Sequence, residues 1–398
     1  MQNRKSISKM QGKIERKISQ QVIDFMKIFP VVTILGPRQC GKTTLAKQIG
    51  NSIPNFIYID LENPADRMKI IDLTLFFEIN PYSTVCIDEA QIMPNIFPEL
   101  RGIIDRNRRN GQIMLLGSAS RELINKTSES LAGRIGYIEL TPFTYSEISD
   151  GNDEHFYRHW LRGGFPLSYL SENDDYSGIW RTQYLQSYLE RDLQYSGNTI
   201  PLFTVQRFLQ MLANNQGQIF NSNRLADALG ISYHTVRSYA DFFEKSFITR
   251  TLQPFLPNLS KRITKSPKIY IRDTGILHSL LHINDINQLL GHPVFGYSWE
   301  GYVIENILIS AMGWQPWFYR TATGNEIDLV LTKGDKILAF ECKAKLTPEV
   351  SKGTYVALED LGNCKLFIVS LVKEPYWLKK NIQVGNILDA IRYVSIES

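Results

Sequence analysis

The chain is poor in cysteine. Four thiols, Cys40, Cys86, Cys342 and Cys364, are scattered through 398 residues with no CxxC pair. That spacing argues against a disulfide framework or a structural zinc site, and it suits a reducing cytoplasm. Long apolar runs are also missing. None approaches the roughly 18 residues a bilayer-crossing helix needs. The first twenty residues, MQNRKSISKMQGKIERKISQ, are basic and polar and lack the apolar centre of a signal peptide. Charge of one sign is scarce too. A formal net charge of +4 is too small on this length to imply a polyanion partner by itself. What remains is 43% apolar and 21% charged residues, the balance of a soluble globular protein. The length calls for several domains.

The most specific stretch is VVTILGPRQCGKTTLAKQI. Val31 to Leu35 is a short apolar run rich in β-branched residues, as in a buried strand. Gly36 to Thr43 then fills every fixed position of GxxxxGK[ST], and a helical spacing follows. In that context the loop N–H groups and the helix N-terminus hold phosphates. The expected nucleotide contacts are Gly36, Pro37, Arg38, Gln39, Cys40, Gly41, Lys42, Thr43 and Thr44. Lys42 would neutralise β/γ-phosphate charge, and Thr43 would place its hydroxyl on Mg²⁺.

A nucleotide hydrolase needs a second piece, and STVCIDEAQIMP supplies it. Val85 to Ile87 reads as a strand ending in Asp88 and Glu89. Asp88 would hold the water shell of Mg²⁺, and Glu89 would polarise the attacking water. The alternative is a helix N-cap pair. A third strand, GQIMLLGSAS, ends near Ser118 and Ser120, where a small hydroxyl can sense the γ-phosphate. Arg134, in SLAGRIGYIEL, reads equally as an arginine finger or as surface charge.

GPRQCGKTTL, IDEAQIMP, LLGSAS, SLAGR, PFTYSEI and LRGGFP together resemble the AAA-type ATP-binding proteins of bacteria and archaea. The resemblance covers nearly the whole chain, including YLERDL and KSPKIYIRDTGIL. It implies ATP binding and slow hydrolysis with Mg²⁺. Lys42, Thr43, Asp88 and Glu89 carry over by position, and Arg134 matches the family pattern.

The polar SGNTIP at 196–201 reads as a linker. Beyond it, Leu225, Ala226 and Leu229 form one helical face ending at Gly230. Ser232 caps a second helix carrying Val236, Tyr239 and Phe243. Two helices joined by a tight Gly turn is the helix-turn-helix pattern, with FITRTLQPF and KIYIRD as wing strands. Between Val205 and Arg272 there are ten Lys and Arg against three Asp and Glu. Such a segment suits contact with DNA phosphates, with Tyr233, His234 and Arg237 where base edges are read. Domain docking is the competing reading.

NEIDLVLTKGDKILAFECKAK reads as a hairpin turning at Gly334–Asp335. Lys333 then faces Lys336, Asp328 faces Glu341, and Glu326 faces Lys343. Ile327, Leu329, Leu331, Leu338, Phe340 and Cys342 share one apolar face, which must be buried. Opposed carboxylates, with Cβ atoms about 4.5–5.5 Å apart, repel unless a cation lies between them. Mg²⁺ suits the pair Asp328 and Glu341, and Lys343 would stabilise charge on a scissile phosphate. Glu305, on a helix read from Ile304, Ile307, Leu308 and Ala311, is a candidate third metal ligand. Helix Glu, strand Asp and Glu-x-Lys, over about 290–375, resemble the PD-(D/E)XK nucleases. The plainer reading is a solvated face with a Glu326–Lys343 ion pair, worth at most about 1 kcal/mol.

The expected fold class is α/β. An AAA-like P-loop parallel sheet core spans 1–144 and a helical lid and linker 145–204. A winged helix-turn-helix follows over 205–275, and an α/β restriction-nuclease-like domain over 276–398. The expected partners are ATP and DNA, with no membrane, and a homo-oligomer if an arginine finger acts in trans. Replacing Lys42 by Ala leaves phosphate charge uncompensated, so ATP will no longer raise the melting temperature. A wild-type shift in that variant, read by thermal unfolding with and without ATP, would refute the assignment.

Overall fold

The computed structural model describes residues 14–118, 127, 129–195, 201–256, 263–362 and 364–397. Most of the expected linker, 196–200, lies outside these residues, as do Ser120 and the side chain of Ser118. The chain divides into two compact units. One is Met1–Phe143 with Lys245–Phe247, and the other is Thr144–Glu244 with Ile248–Ser398. Among the described residues no helix is long and apolar enough to cross a membrane.

The first unit is built on five strands. They are β1 (Val31–Gly36), β2 (Phe56–Asp60), β3 (Thr84–Asp88), β4 (Ile113–Ser118) and β5 (Ile135–Glu139). Their order is β2-β3-β4-β1-β5, and every pairing is parallel. Strands covered on both faces need apolar residues at successive positions, and β1, β3 and β4 have them. Val31, Leu35, Val85 and Ile87 point to one layer, while Val32, Ile34, Cys86 and Met114 point to the other. Insertion of β4 between β1 and β3 sets the loop after Gly36 and the acids after Ile87 at the same sheet edge. Gly36 pairs with Ser118, and Asp60 with Asp88.

The second unit contains an eight-stranded mixed sheet. Its strands are β6 (Thr249–Pro254), β7 (Lys268–Ile271), β8 (Gln315–Arg320), β9 (Glu326–Lys333), β10 (Lys336–Lys343), β11 (Lys365–Ser370), β12 (Tyr376–Lys379) and β13 (Ile382–Gly385). They are ordered β12-β13-β11-β10-β9-β8-β6-β7. The helices Phe295–Ser310 and Ile387–Glu397 contribute Trp299, Ile307, Ala390 and Val394 to the core with Leu329, Phe340 and Phe367. The helix Lys352–Asp360 contributes Ala357 and Leu358 to a second core with Val330, Ala339 and Ile368. Both faces of the central strands β9, β10 and β11 are therefore covered.

Three expectations change here. The helices expected as a lid, from Tyr145–Ile148 to Asp174–Tyr195, belong to the second unit. Their Trp160, Phe165, Tyr184 and Leu189 share a core with Ile276 and Trp299. The expected boundary at 275 crosses a continuous structure, because β6 pairs in parallel with β8 (Gln253 with Trp317). Finally, the hairpin turns at Gly334–Asp335 and pairs as expected from Lys333–Lys336 to Leu329–Phe340, where its ladder stops. A bulge in β9 then intervenes. Val330 pairs with Trp317 but Ile327 with Tyr319, three residues against two. Ile327 consequently packs with Val330 and not with Leu329.

Several motifs prove architectural. Asp273 caps the helix Thr274–Leu280 and accepts the N–H of Gly164 at 2.7 Å. Burial pushes this carboxyl up to about 6, against backbone hydrogen bonds that favour its charge. Arg181, fully buried, donates to the carbonyls of Leu161 (3.1 Å) and Gly275 (2.9 Å).

Candidate functional site

The loop between β1 and the helix Lys42–Gly50 has the geometry of a phosphate cradle. Gln39 (φ 60°) and Gly41 (φ 102°) adopt left-handed backbone, which turns the chain sharply before the helix begins. Lys42 is buried, and its ammonium donates to the carbonyls of Gly36 (2.9 Å) and Pro37 (2.8 Å). The Thr43 hydroxyl donates to Asp88 Oδ2 at 2.6 Å, so loop and β3 acid are already in contact.

The structure adds residues the sequence did not single out. Tyr58 on β2 donates its hydroxyl to the same Asp88 oxygen at 2.6 Å, and the Glu89 N–H donates to the other at 2.9 Å. Burial, helped by the Asp88 charge, drives the Tyr58 phenol far upward, so it serves as a donor. Glu89 stands in left-handed backbone at φ 53°. Burial raises its carboxyl pKa, although Gln91 donates an amide N–H to it and Lys42 and Arg38 lie near. A raised carboxyl pKa suits a group that must take a proton. Arg16, from the basic N-terminal stretch, donates to the carbonyls of Cys40 (3.0 Å) and Thr141 (2.6 Å) and braces the loop.

Arg134 takes the second of its two readings, surface charge, in this structure. Its guanidinium makes a two-pronged pair with Asp105 (2.6 and 2.9 Å) and also donates to the carbonyl of Ala132. An arginine so committed is not poised as a finger in this state.

A second polar cluster lies inside the second unit. Asp328, beside the β9 bulge, accepts the N–H of Cys342 at 2.8 Å. It thereby replaces a backbone partner where the hairpin ladder ends. Glu341 Oε1 accepts from Lys343 at 2.6 Å, whereas Glu341 Oε2 is buried without a hydrogen-bond partner. Asp328 is 9% exposed and Glu341 6%. Burial, then the neighbouring charges of Glu341 and Glu300, push the Asp328 carboxyl well above its usual range. Burial likewise raises Glu341, against the pull of Lys343. Burial opposes the Lys343 charge, but Glu341 and Asp328 outweigh it and hold the ammonium firmly protonated. The plainer reading, a solvated face with a Glu326–Lys343 pair, does not hold: Asp328 and Glu341 are enclosed, and Glu326 pairs with Lys268 and Arg320.

The helix acid near the pair is Glu300, not Glu305. Glu305 is gripped by Arg250 (2.6 and 3.0 Å) and Arg272 (2.7 Å). Burial opposes its charge, yet the two arginines prevail and hold it at about 2. Five residues separate the two acids, so they point to different sides of the helix. Among the described residues no three His, Cys, Asp or Glu side chains converge to hold a metal.

The basic segment also shrinks as a surface. Arg250 and Arg272 serve Glu305, and Lys268 is 2% exposed. The residues left facing outward include Tyr233, His234 and Arg237 at the start of the helix Tyr233–Lys245. The Tyr233 and His234 rings meet at a tilt, with centroids 3.8 Å apart, and Arg237 lies over the Tyr233 ring.

Family models match three consecutive segments of the chain. The AAA domain family matches residues 29–149. Two domains of unknown function, DUF8612 and DUF4143, match residues 153–287 and 295–389. The uncharacterized proteins Rv2008c of Mycobacterium tuberculosis and Mb2031c of Mycobacterium bovis are 39% identical over 340 residues. That alignment covers 85% of this chain and 76% of each relative. The chain belongs to their family. Its first unit carries an AAA-type P-loop domain. Among solved structures, the Walker-type ATPase PABY2304 of Pyrococcus abyssi overlaps 67% of this chain and 96% of its own, at 16% identity and TM-score 0.49. A RuvB variant of Thermotoga maritima overlaps 60% and 89%, at 16% identity and TM-score 0.29. Both superpositions are loose.

In this family member the Glu305 pairing makes stability depend on acid. The folded pKa of about 2 lies below the ordinary 4.5, so ionised Glu305 stabilises the fold above about pH 4.5. That contribution, about 3 kcal/mol at one pKa unit per 1.4 kcal/mol, fades as pH falls from 4.5 to 2. Denaturant unfolding of wild type and Glu305→Gln across this range will show the wild-type advantage shrinking with acid. A gap that stays constant would contradict the pairing.

Proposed function

We propose that this protein is an ATP-hydrolysing switch whose P-loop unit controls the DNA-engaging second unit. The observation that carries the reading is the contact of Thr43 with Asp88, beside Lys42 and Glu89. These residues fit Mg²⁺–ATP. Thr43 and Asp88 are the side chains that would hold Mg²⁺, which neutralises phosphate charge when bound. Lys42, held here by two loop carbonyls, turns to the phosphates. Tyr58 keeps Asp88 oriented, and Glu89 takes the proton of the attacking water. Cys40, Gly41 and the helix start at Lys42 supply N–H groups to the phosphates.

Glu89→Gln keeps the shape of the site but removes the base. Steady-state phosphate release will fall by about 100-fold or more while ATP still raises the melting temperature. Turnover within a few-fold of wild type sinks the assignment of Glu89.

A second reading concerns the second unit and rests on the unpartnered Glu341 Oε2 beside Asp328. Two crowded, buried carboxylates and Lys343 suit a divalent cation and a phosphodiester, as in a PD-(D/E)XK nuclease-like domain. The helices Ser222–Leu229 and Tyr233–Lys245, followed by β6 and β7, would serve as a winged helix, with Tyr233, His234 and Arg237 toward DNA. On this reading Glu341→Ala abolishes cleavage of plasmid or single-stranded DNA in Mg²⁺ or Mn²⁺ with ATP. If wild type leaves both substrates intact, the unit binds DNA or protein without cutting.

A further inference from the structure

The strand β12 ends the order of the eight-stranded sheet, and all four of its residues are exposed. Tyr376 is 41% and Trp377 60% exposed, and Leu378 beside them is bare as well. Neighbouring bare rings on one strand form a contiguous apolar patch, the mark of a contact surface. Register ties this edge to the buried acids. Glu341 pairs with Ile368, Ile368 with Val384 and Val384 with Tyr376, one row across β10, β11, β13 and β12. Residues in register share a face. Ile368 and Val384 pack with Ala357 and Leu358 of the helix Lys352–Asp360, and Thr354 of that helix lies 3.5 Å from Glu341. Tyr376 therefore stands on the face of Glu341. A bulge between Trp377 and Lys379 turns Lys379 to that face too, with its ammonium 4.2 Å from the centre of the Tyr355 ring. Three strand spacings of about 4.8 Å set the Tyr376 backbone about 14 Å from that of Glu341.

The surroundings of the rings are basic. Leu371–Lys380 holds Lys373, Lys379 and Lys380 against Glu374. Lys373 pairs with Asp153 at 3.2 Å, while Lys379 and Lys380 face outward. The exposed Lys345 follows β10, and its carbonyl accepts the Leu371 N–H at 3.2 Å, where β10 and β11 stop. A further protein strand is a poor occupant of this edge, because Pro375, the bulge and the lysines blunt it. Bare rings flanked by lysines suit unpaired bases and their phosphates.

We propose that the β12 edge is a stacking platform for single-stranded DNA. Tyr376 and Trp377 take bases, and Lys379, Lys380 and Lys345 take phosphates, so the strand is led along the sheet row toward Glu341. About four stacked nucleotides, at about 3.4 Å each, span that row. The inference rests on the reading of the second unit as DNA-engaging, and it names the form of DNA.

The test is fluorescence anisotropy of the full chain with a labelled oligothymidylate of about 15 nucleotides and with a duplex of equal length, free of divalent metal so that nothing is cut. Wild type will bind the single strand. Tyr376→Ala and Trp377→Ala will each weaken that binding about tenfold and leave duplex binding within twofold, and Trp377→Phe will stay close to wild type. Lys379→Glu with Lys380→Glu will weaken binding at least tenfold and flatten its salt dependence. The proposal is overturned if the folded alanine variants bind the single strand like wild type, or lose duplex binding equally. Should they not fold, the lysine pair decides, and unchanged binding there overturns it. Wild type that binds duplex but no single strand overturns the proposal and leaves the DNA-engaging reading standing. Binding of neither ends both.

Discussion

A charge enclosed between packed layers must find a partner, and this constraint shapes both units. Leaving an ionised group in a dry interior without one costs several kcal/mol. Lys42 meets it with two loop carbonyls, and Asp88 with three donors. Glu305 meets it with two arginines. Glu300 meets it with a lysine and a tyrosine. Asp328 and Glu341 meet it incompletely, with one backbone N–H, one lysine, a long contact from Thr354 and a bare oxygen. A buried carboxylate left with a bare oxygen calls for an explanation such as a bound ion.

The phosphate loop was readable because its chemistry is local. Eight consecutive residues carry the turn, the lysine and the hydroxyl, and the neighbouring runs show a strand and a helix. Tyr58 and Arg16 were not readable. Each reaches the site through strand order or a long chain excursion, and neither leaves a pattern in nearby residues. Tyr58 in particular sits on β2, beside β3, and only that adjacency brings its hydroxyl to Asp88.

The hairpin was readable as far as simple alternation holds. It fails at the bulge, where one extra residue in β9 moves Ile327 to the other layer. The confusion of Glu305 with Glu300 has a different cause. The helix Phe295–Ser310 is buried around most of its circumference, at Ser298, Glu300, Tyr302, Val303 and Asn306 as well as at Ile304 and Ile307. An apolar stripe cannot tell which acid faces the sheet when nearly every side is covered. The deciding residues, Arg250 on β6, Lys268 on β7 and Arg272 just after β7, come from the preceding segment. The same three account for part of the positive charge that suggested DNA contact, since much of it is spent inside the protein.

The parallel seam between β6 and β8 has a consequence for how the chain comes together. Gln253 and Trp317 become neighbours only after everything between them has been threaded through a crossover, and such long-range pairings form late. The strand bearing Lys268 pairs with β6 and joins the sheet of Asp328 and Glu341 only through the pairing of β6 with β8. Two segments that resemble separate modules on paper are in practice a single cooperative assembly, and a cut between them would leave both halves with raw sheet edges.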